Sequence, residues 1–178
     1  MPGGSVVDCA EELVERIRGL FEDDPEGELT GLRAPVEHSG NEPEMRLVRV
    51  VDGYPDFTKR DEHHAPMVLA RLTDQDNGSH AEQPTDQVTI RVVSIVHMVE
   101  PADYKFGWII LGRIRADLKK KPFLGGGLYQ VLADRLPISE DADLSAWPEQ
   151  VLNMNVTVIV PETLQTHGPD GRLLSEDV

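Results

Sequence analysis

The amino-acid sequence predicts an α+β domain, a two-layer sandwich with two main helices packed on a mostly antiparallel sheet of about four to five strands. The helices are predicted because apolar residues recur at helical spacing near the N-terminus and again between residues 101 and 121. The sheet is predicted because strand-like segments flank the second helix, the clearest at residues 87–99 and 150–160. We expect residues 1–161 to form this single domain and residues 162–178, which hold few anchoring side chains, to fray.

The first helix is predicted over residues 5–22. Ser5 is a typical N-cap residue, and Asp8 follows three positions later, as in a capping box. Pro25 and Gly27 then stop the helix. The side chains on its apolar face share helical spacing: Val6, Ala10, Leu13, Ile17 and Leu20.

Strands are predicted next. Met45–Val51 and Pro66–Leu72 are apolar segments bounded by turn-forming residues, and a further short strand fits Leu29–Val36. Pro66 is acceptable at the first position of a strand because it has no amide hydrogen to donate. Residues 52–65 are polar and are predicted to form a loop.

Gln87–Val99 is the most regular strand. Its alternate residues are apolar on both faces in the middle, which is typical of a central strand covered on two sides. The preceding segment, Asp74–Asp86, has turn-forming residues and no large apolar side chain. We expect it to be a mobile tip, with the two flanking strands paired around it.

The second helix is predicted to begin near Pro101 and to end at Lys119–Lys121, where positive charge suits the helix dipole. Gly107 and Gly112 weaken the helix but permit close approach to a sheet. Pro122 stops it. Its apolar face is predicted to hold, with Leu111 at the margin, Phe106, Ile109, Ile110, Ile114 and Leu118. We expect the last three of these to pack on a face of the central strand.

Two strands are predicted to follow, at about Leu128–Leu136 and Gln150–Val160, joined by an acidic loop. The second alternates apolar residues such as Met154 and Val156 with polar ones such as Asn155, a pattern typical of a half-solvated strand.

The composition limits the classes of function. The chain has 178 residues, 39% of them hydrophobic, and a formal net charge of −15 from 32 acidic and 17 basic residues. This acidic excess disfavours nucleic acid and anionic lipid as partners. Cys9 is the sole cysteine, so an internal disulfide is impossible. No apolar run approaches the length of a membrane span and no secretion signal is recognisable, so we expect a cytosolic type of protein.

The sequence offers only weakly supported candidates for a metal site. His63 and His64, after Asp61 and Glu62, would point to opposite faces if extended, so an exposed loop explains them better than a metal site. His97 is more typical of strand packing than of metal ligation. The acidic cluster Ser139–Asp141 with Asp143 lacks EF-hand spacing.

The glycine-rich segment "FLGGGLYQ" follows a helix and precedes a strand, the reverse of the order in a phosphate-binding loop. We expect no cofactor, no metal and no catalytic residues, because no acid, base and nucleophile converge.

The basic residues of the second helix are the one positive group in the acidic chain. Arg113, Arg115 and Lys119–Lys121 either form a solvated helix end or complement the acidic surface of a neighbouring subunit. Trp108 and Trp147 are either core residues or interface anchors. The candidate interface residues are therefore Arg113, Arg115, Lys119 and Trp147.

The span from Pro66 to Pro161 resembles the tail terminator (tail-completion) proteins of long-tailed bacteriophages and prophages. The resemblance lies in the order of segments: an apolar strand, a variable polar loop, a strand ending in an acidic turn, and then a helix that starts at Gly107–Trp108. The helix continues with "IILGRIRADL", and the "LGGGLY" break, Leu136–Pro137 and Trp147–Pro148 follow. The polar insertion at residues 52–65 and the extra glycine depart from the family pattern.

This resemblance implies an α/β subunit that assembles into a ring, typically a hexamer, on the last ring of the tail tube. Such a ring stops tube polymerisation and presents a surface to the head-completion proteins, in a virion tail assembled in the bacterial cytoplasm. The family has no catalytic residues. The alternatives are another head–tail connector or a non-catalytic cytosolic adaptor, and, less favoured, a small acid-using enzyme.

Overall fold

The structure is a computed structural model, and it describes residues 6–21, 33–38, 43–53, 65–76, 85–145 and 147–161. In these ranges it has an α+β fold, as predicted, with helices α1 (Val6–Phe21) and α2 (Tyr104–Lys120). The strands are β1 (Arg33–His38), β2 (Pro43–Leu47), β3 (Arg49–Asp52), β4 (Met67–Asp76), β5 (Thr85–His97), β6 (Phe123–Leu124), β7 (Tyr129–Val131), β8 (Ile138–Glu140) and β9 (Glu149–Pro161).

The main sheet has seven strands in the order β3-β4-β5-β9-β7-β6, with β8 pairing β9 beside this path. Its pairs are antiparallel except β3 with β4, which run parallel. β1 and β2 form a separate two-stranded sheet. The predicted pairing of the strands around residues 74–86 is confirmed, since β4 and β5 are antiparallel neighbours.

Both helices pack on one face of the main sheet, and the core lies between the two layers. β5 contributes Val88, Ile90, Val92 and Val96 to this core, and the alternate residues of β9 join them. The predicted packing of Ile110, Ile114 and Leu118 against this face is confirmed. The other face of β5 is only partly buried, with Val93 in a small second apolar cluster and its neighbours half-exposed.

Three strand predictions are wrong in detail. Met45–Val51 is two strands instead of one, because the chain leaves the β1–β2 sheet at buried Val48 and enters the main sheet at Arg49. The strand predicted over residues 128–136 is confined to β7. The acidic loop contains a strand, β8, whose polar side chains hid its backbone pairing with β9.

The buried side of α2 is rotated from the predicted one. Ile109 is 40% exposed, whereas Leu111 is fully buried. The cause is Gly107, which faces the sheet so closely that an added Cβ would lie 2.7 Å from Gln150 Oε1. Residue 111 lies one turn beyond residue 107 and therefore also faces inward. Gly112 would meet no atom within 4 Å, so its predicted close approach to the sheet is wrong.

Several predictions lie outside the described residues: the Ser5 cap, the loop at residues 54–64 with His63 and His64, the tip at residues 77–84, and residues 162–178. At the two ends of the segment 74–86 that was predicted to be mobile, residues 74–76 belong to β4 and residues 85–86 to β5.

Candidate protein-docking surface

The start of α2 is fixed by a capping arrangement. A short 3-10 turn, Pro101–Asp103, precedes the helix, and Asp103 Oδ2 accepts hydrogen bonds from the amides of Val99 (3.0 Å) and Glu100 (2.8 Å). Two backbone donors at a helix start are thereby satisfied. With Gly107 seated on the sheet, this cap sets which α2 side chains face outward.

One outward flank of α2 carries large aromatic and basic side chains, and we call it the α2 stripe: Tyr104, Trp108, Arg115 and Lys119. Tyr104 is 54% and Trp108 40% exposed, Lys119 is exposed and Arg115 is half-buried. The spacings of four, seven and four residues keep them on one side of a helix with 3.6 residues per turn. The stripe is aromatic in its first half and basic in its second.

Arg113 lies apart from this stripe. It is exposed, but it is two positions from Arg115, and two helical positions differ by about 200° around the axis. Arg113 therefore shares the opposite flank of α2 with exposed Ile109. The four predicted interface residues thus fall into two sets, with Arg115 and Lys119 near Trp108 and Arg113 away from them.

Trp147 lies in the loop before β9 and is 60% exposed. The loop is held by side-chain hydrogen bonds, because Ser145 Oγ accepts from the amide of Val151 (3.0 Å) and donates to its carbonyl (3.1 Å). The amide of Met98, close before α2, donates to the carbonyl of Pro148 at 2.6 Å. Trp147 is therefore presented at the end of the sheet where α2 begins.

The acidic cluster in the same loop has a structural use. Asp141 Oδ2 accepts a hydrogen bond from Asn153 Nδ2 (3.1 Å), and the Asp141 carbonyl accepts from the amide of Ser145 (2.7 Å). These bonds tie the loop to β9. Within the described residues there is no group of three His, Cys, Asp or Glu that could hold a metal ion.

Exposed carboxylates line a groove beside α1. The groove has a volume of about 440 Å³ and lies between α1 and the glycine turn. Its lining residues are Asp8, Glu11, Glu12, Glu15, Gly125, Leu128 and Tyr129. Burial, with the negative charge of Asp8 adding to it, raises the pKa of Tyr129 above its ordinary value of 10.0. The groove thus presents a negatively charged surface beside α1.

Cys9 is not available as a nucleophile. Its side chain is fully buried on the core side of α1, and burial, with Glu12 adding to it, raises the pKa of the thiol from 9.0 to about 12. The thiol is therefore protonated near neutral pH, and a protonated buried thiol is unreactive. His97, the other candidate on a regular element, is half-buried on the sheet face away from the helices.

Sequence reasoning missed a pair of arginines on that same face. Arg71 of β4 lies directly opposite Arg91 of β5, and Arg91 lies opposite Asn155 of β9. The sequence feature that could have pointed to this pair was an arginine inside each of two apolar strands. Their pairing depends on the register of two distant segments, which the local pattern does not contain.

No protein-family model matches this chain, and no curated protein matches it either. Neither helix in the described ranges combines the length and the apolar character needed to cross a bilayer.

Proposed function

We propose that this chain is a structural subunit of a long-tailed phage, one that assembles with copies of itself into a ring on the end of the tail tube. The ring, typically a hexamer, stops tube polymerisation and offers a surface to the head-completion protein. The order of segments from Pro66 to Pro161 supports this family, and the α+β fold is compatible with it. The place of action is the virion tail, assembled in the bacterial cytoplasm.

The observation that carries the proposal is the exposure of both tryptophans of the chain. Trp108 and Trp147 are 40% and 60% exposed, and Tyr104 adds a third exposed aromatic ring on α2. Exposed Trp and Tyr side chains are costly in water and are enriched at the energetic centres of protein interfaces. A rigid helix and a hydrogen-bonded loop hold them, so the surface is prepared for a protein partner before binding.

Charge favours a protein contact of this kind. The basic half of the α2 stripe holds exposed Lys119 and half-buried Arg115, in a chain with a net charge of −15. In a ring of identical acidic subunits, each basic helix half meets an acidic neighbour, which favours one orientation of the contact.

The test compares paired variants for capping of purified tail tubes, with electron microscopy as the readout and ultracentrifugation for ring formation. Trp108→Ala with Trp147→Ala is expected to weaken capping at least about tenfold, since interface tryptophans often contribute 2 kcal/mol or more. Phe123→Ala with Leu128→Ala is the matched control, because Phe123 (52%) and Leu128 (45%) are similarly exposed but lie outside the α2 stripe.

Charge-reversal variants distinguish the role of Arg115 and Lys119 from that of Arg113. Arg115→Glu with Lys119→Glu is expected to abolish capping while leaving the circular-dichroism spectrum unchanged, and Arg113→Glu reports on the opposite flank. Normal capping by the double tryptophan variant would refute the proposal. Rings that bind the head-completion protein but do not bind tail tubes would indicate that the chain is a different head–tail connector.

A further inference from the structure

The groove between α1 and the glycine turn and the basic half of the α2 stripe carry opposite charges. Glu11 and Glu12 are exposed on α1 and line the groove. Glu15 lines it too, but its carboxylate already pairs with Arg18. A cleft lined by charges of one sign focuses its field and attracts groups of the opposite sign. The negative centre of the groove is therefore at Glu11 and Glu12.

The basic half of the α2 stripe is turned away from these carboxylates in its own subunit. Within the described part of the chain, neither Arg115 nor Lys119 forms an ion pair. Asp117 lies two positions from each of them, which is about 200° around the helix axis. On that opposite flank its carboxylate accepts a hydrogen bond from Arg16 of α1 at 2.6 Å. The stripe and α1 thus lie on opposite flanks of α2.

This arrangement permits a contact between copies that one subunit cannot make alone. Because α1 is bonded to one flank of α2 and the stripe occupies the other, α2 itself lies between the stripe and the α1 carboxylates. The groove, with a volume of about 440 Å³, is in the size range of pockets that take small ligands, so it has room for basic side chains. Two different surfaces would meet in such a contact, and contacts of this kind close into rings when the rotation permits.

We propose that the basic half of the α2 stripe docks into this groove on a second copy of the chain. Arg115 and Lys119 lie about one helical turn apart. They meet the carboxylates of Glu11 and Glu12 on the neighbour's α1. The aromatic half of the stripe is about 10 Å or more away along α2, outside the charge contact, and Leu128 on the glycine-turn wall takes no part in it. The choice of a second copy rests on the proposed function.

A charge-exchange experiment tests the contact. Arg115→Glu with Lys119→Glu is expected to weaken self-association at least about tenfold in ultracentrifugation, and Glu11→Lys with Glu12→Lys to weaken it similarly. The quadruple variant keeps the net charge of −15, because the two exchanges cancel, and is expected to recover most of the lost association. An equimolar mixture of the two double variants is expected to recover it as well, in alternating order. Where Arg115→Glu does not fold, Lys119→Glu and Glu12→Lys are measured singly and together, with the same expected directions.

The control variants make the same charge changes at other exposed positions: Arg46→Glu with Arg135→Glu, and Glu140→Lys with Asp143→Lys. At 0.15 M ionic strength the screening length is about 8 Å, so charges outside the contact are expected to leave association close to that of the wild type.

The outcomes separate this inference from the proposed function. A stripe variant that loses association without recovery in the quadruple variant would mean that the stripe meets another surface, which overturns this inference alone. Recovered rings that never cap tubes would overturn the proposed function alone, and a wild type that never associates, alone or on tubes, would overturn both. Thermal stabilisation by spermine that depends on Glu11 and Glu12, with self-association unchanged in both double variants, would show a small-cation site and overturn the choice of partner.

Discussion

Arg16 is the side chain that ties the two helices to each other and to the edge of the sheet. Its Nε donates to Asp117 Oδ2 at 2.6 Å, one terminal nitrogen donates to the Asp117 carbonyl at 3.0 Å, and the other to the Phe123 carbonyl at 2.9 Å. The pair is largely buried, with about a fifth of each side chain exposed. Only a guanidinium group has the planar set of donors that can make all three bonds at once.

Arg16→Lys is expected to lower the free energy of unfolding by about 1–3 kcal/mol, because an ammonium group leaves acceptors at this junction unsatisfied. Urea denaturation at neutral pH measures the change. Arg18→Lys is the matched control, since Arg18 pairs with exposed Glu15 on the solvent side of the same helix, and such pairs contribute under about 1 kcal/mol. Equal effects at both positions would contradict the role assigned to Arg16.

At the scale of the element, the two glycines of α2 lie in opposite environments within one helix. A Cβ at Gly107 would lie 2.7 Å from Gln150 Oε1 and 2.9 Å from Leu152 Cδ1, and both of those side chains are buried. A Cβ at Gly112 would meet no atom within 4 Å. The first glycine is required by packing, whereas the second only lowers helix propensity.

Gly107→Ala is therefore expected to lower the free energy of unfolding by about 1–3 kcal/mol through overpacking. Gly112→Ala is expected to raise it by about 0.5–1 kcal/mol, because alanine restricts the unfolded chain and favours the helix. Thermal melts of the two variants beside wild type give both signs in one experiment. Changes of the same sign would mean that α2 does not sit on Gln150 as described.

The periodicity of apolar residues predicted the elements with regular packing. It failed for features that depend on the pairing of segments distant in the sequence. The existence of α1, the alternation of β9 and the inward face of β5 follow from period and composition alone. The short strand β8 did not, because its pairing with β9 is a backbone property that its polar side chains do not signal. The rotation of α2 depends on Gly107 meeting Gln150, a contact between segments more than forty residues apart.

The candidate site shows the same division. The sequence singled out Trp108, Trp147 and the basic residues of α2, but only the structure shows that both tryptophans are exposed and that Arg113 is on another flank. The sequence did not predict that Arg71 lies opposite Arg91, because strand pairing is not signalled by the local sequence, as for β8. Nothing in two separate strands records which of their residues will be neighbours.

At the scale of the whole molecule, charge is distributed by face. The helix layer presents the carboxylates of α1 and the α2 stripe, and the opposite sheet face holds Arg71 and Arg91. The net charge of −15 adds a repulsion between any two copies that does not depend on their orientation. Association of copies is therefore the difference between a long-range repulsion and short-range attractions at defined surfaces.

Salt weakens the long-range repulsion between subunits and the short-range attraction between charge pairs at different concentrations. The screening length is about 30 Å at 0.01 M ionic strength, about 8 Å at 0.15 M and about 3 Å at 1 M. Repulsion between whole subunits is consequently screened first, and charge pairs in contact are weakened only at higher salt. Self-association of the wild type is expected to rise from about 0.01 to 0.15 M and to fall again toward 1 M.

Ultracentrifugation across this salt series, at constant protein concentration and pH, measures the profile. In Arg115→Gln the falling limb is expected to flatten, because fewer charge pairs remain at the α2 stripe and salt does not weaken its aromatic contacts. Arg135→Gln, at an exposed site outside the α2 stripe, removes the same charge and is expected to keep the wild-type profile. Wild-type association that only increases up to 1 M would show that apolar contact alone joins the subunits and that the basic half of the α2 stripe has no part in assembly.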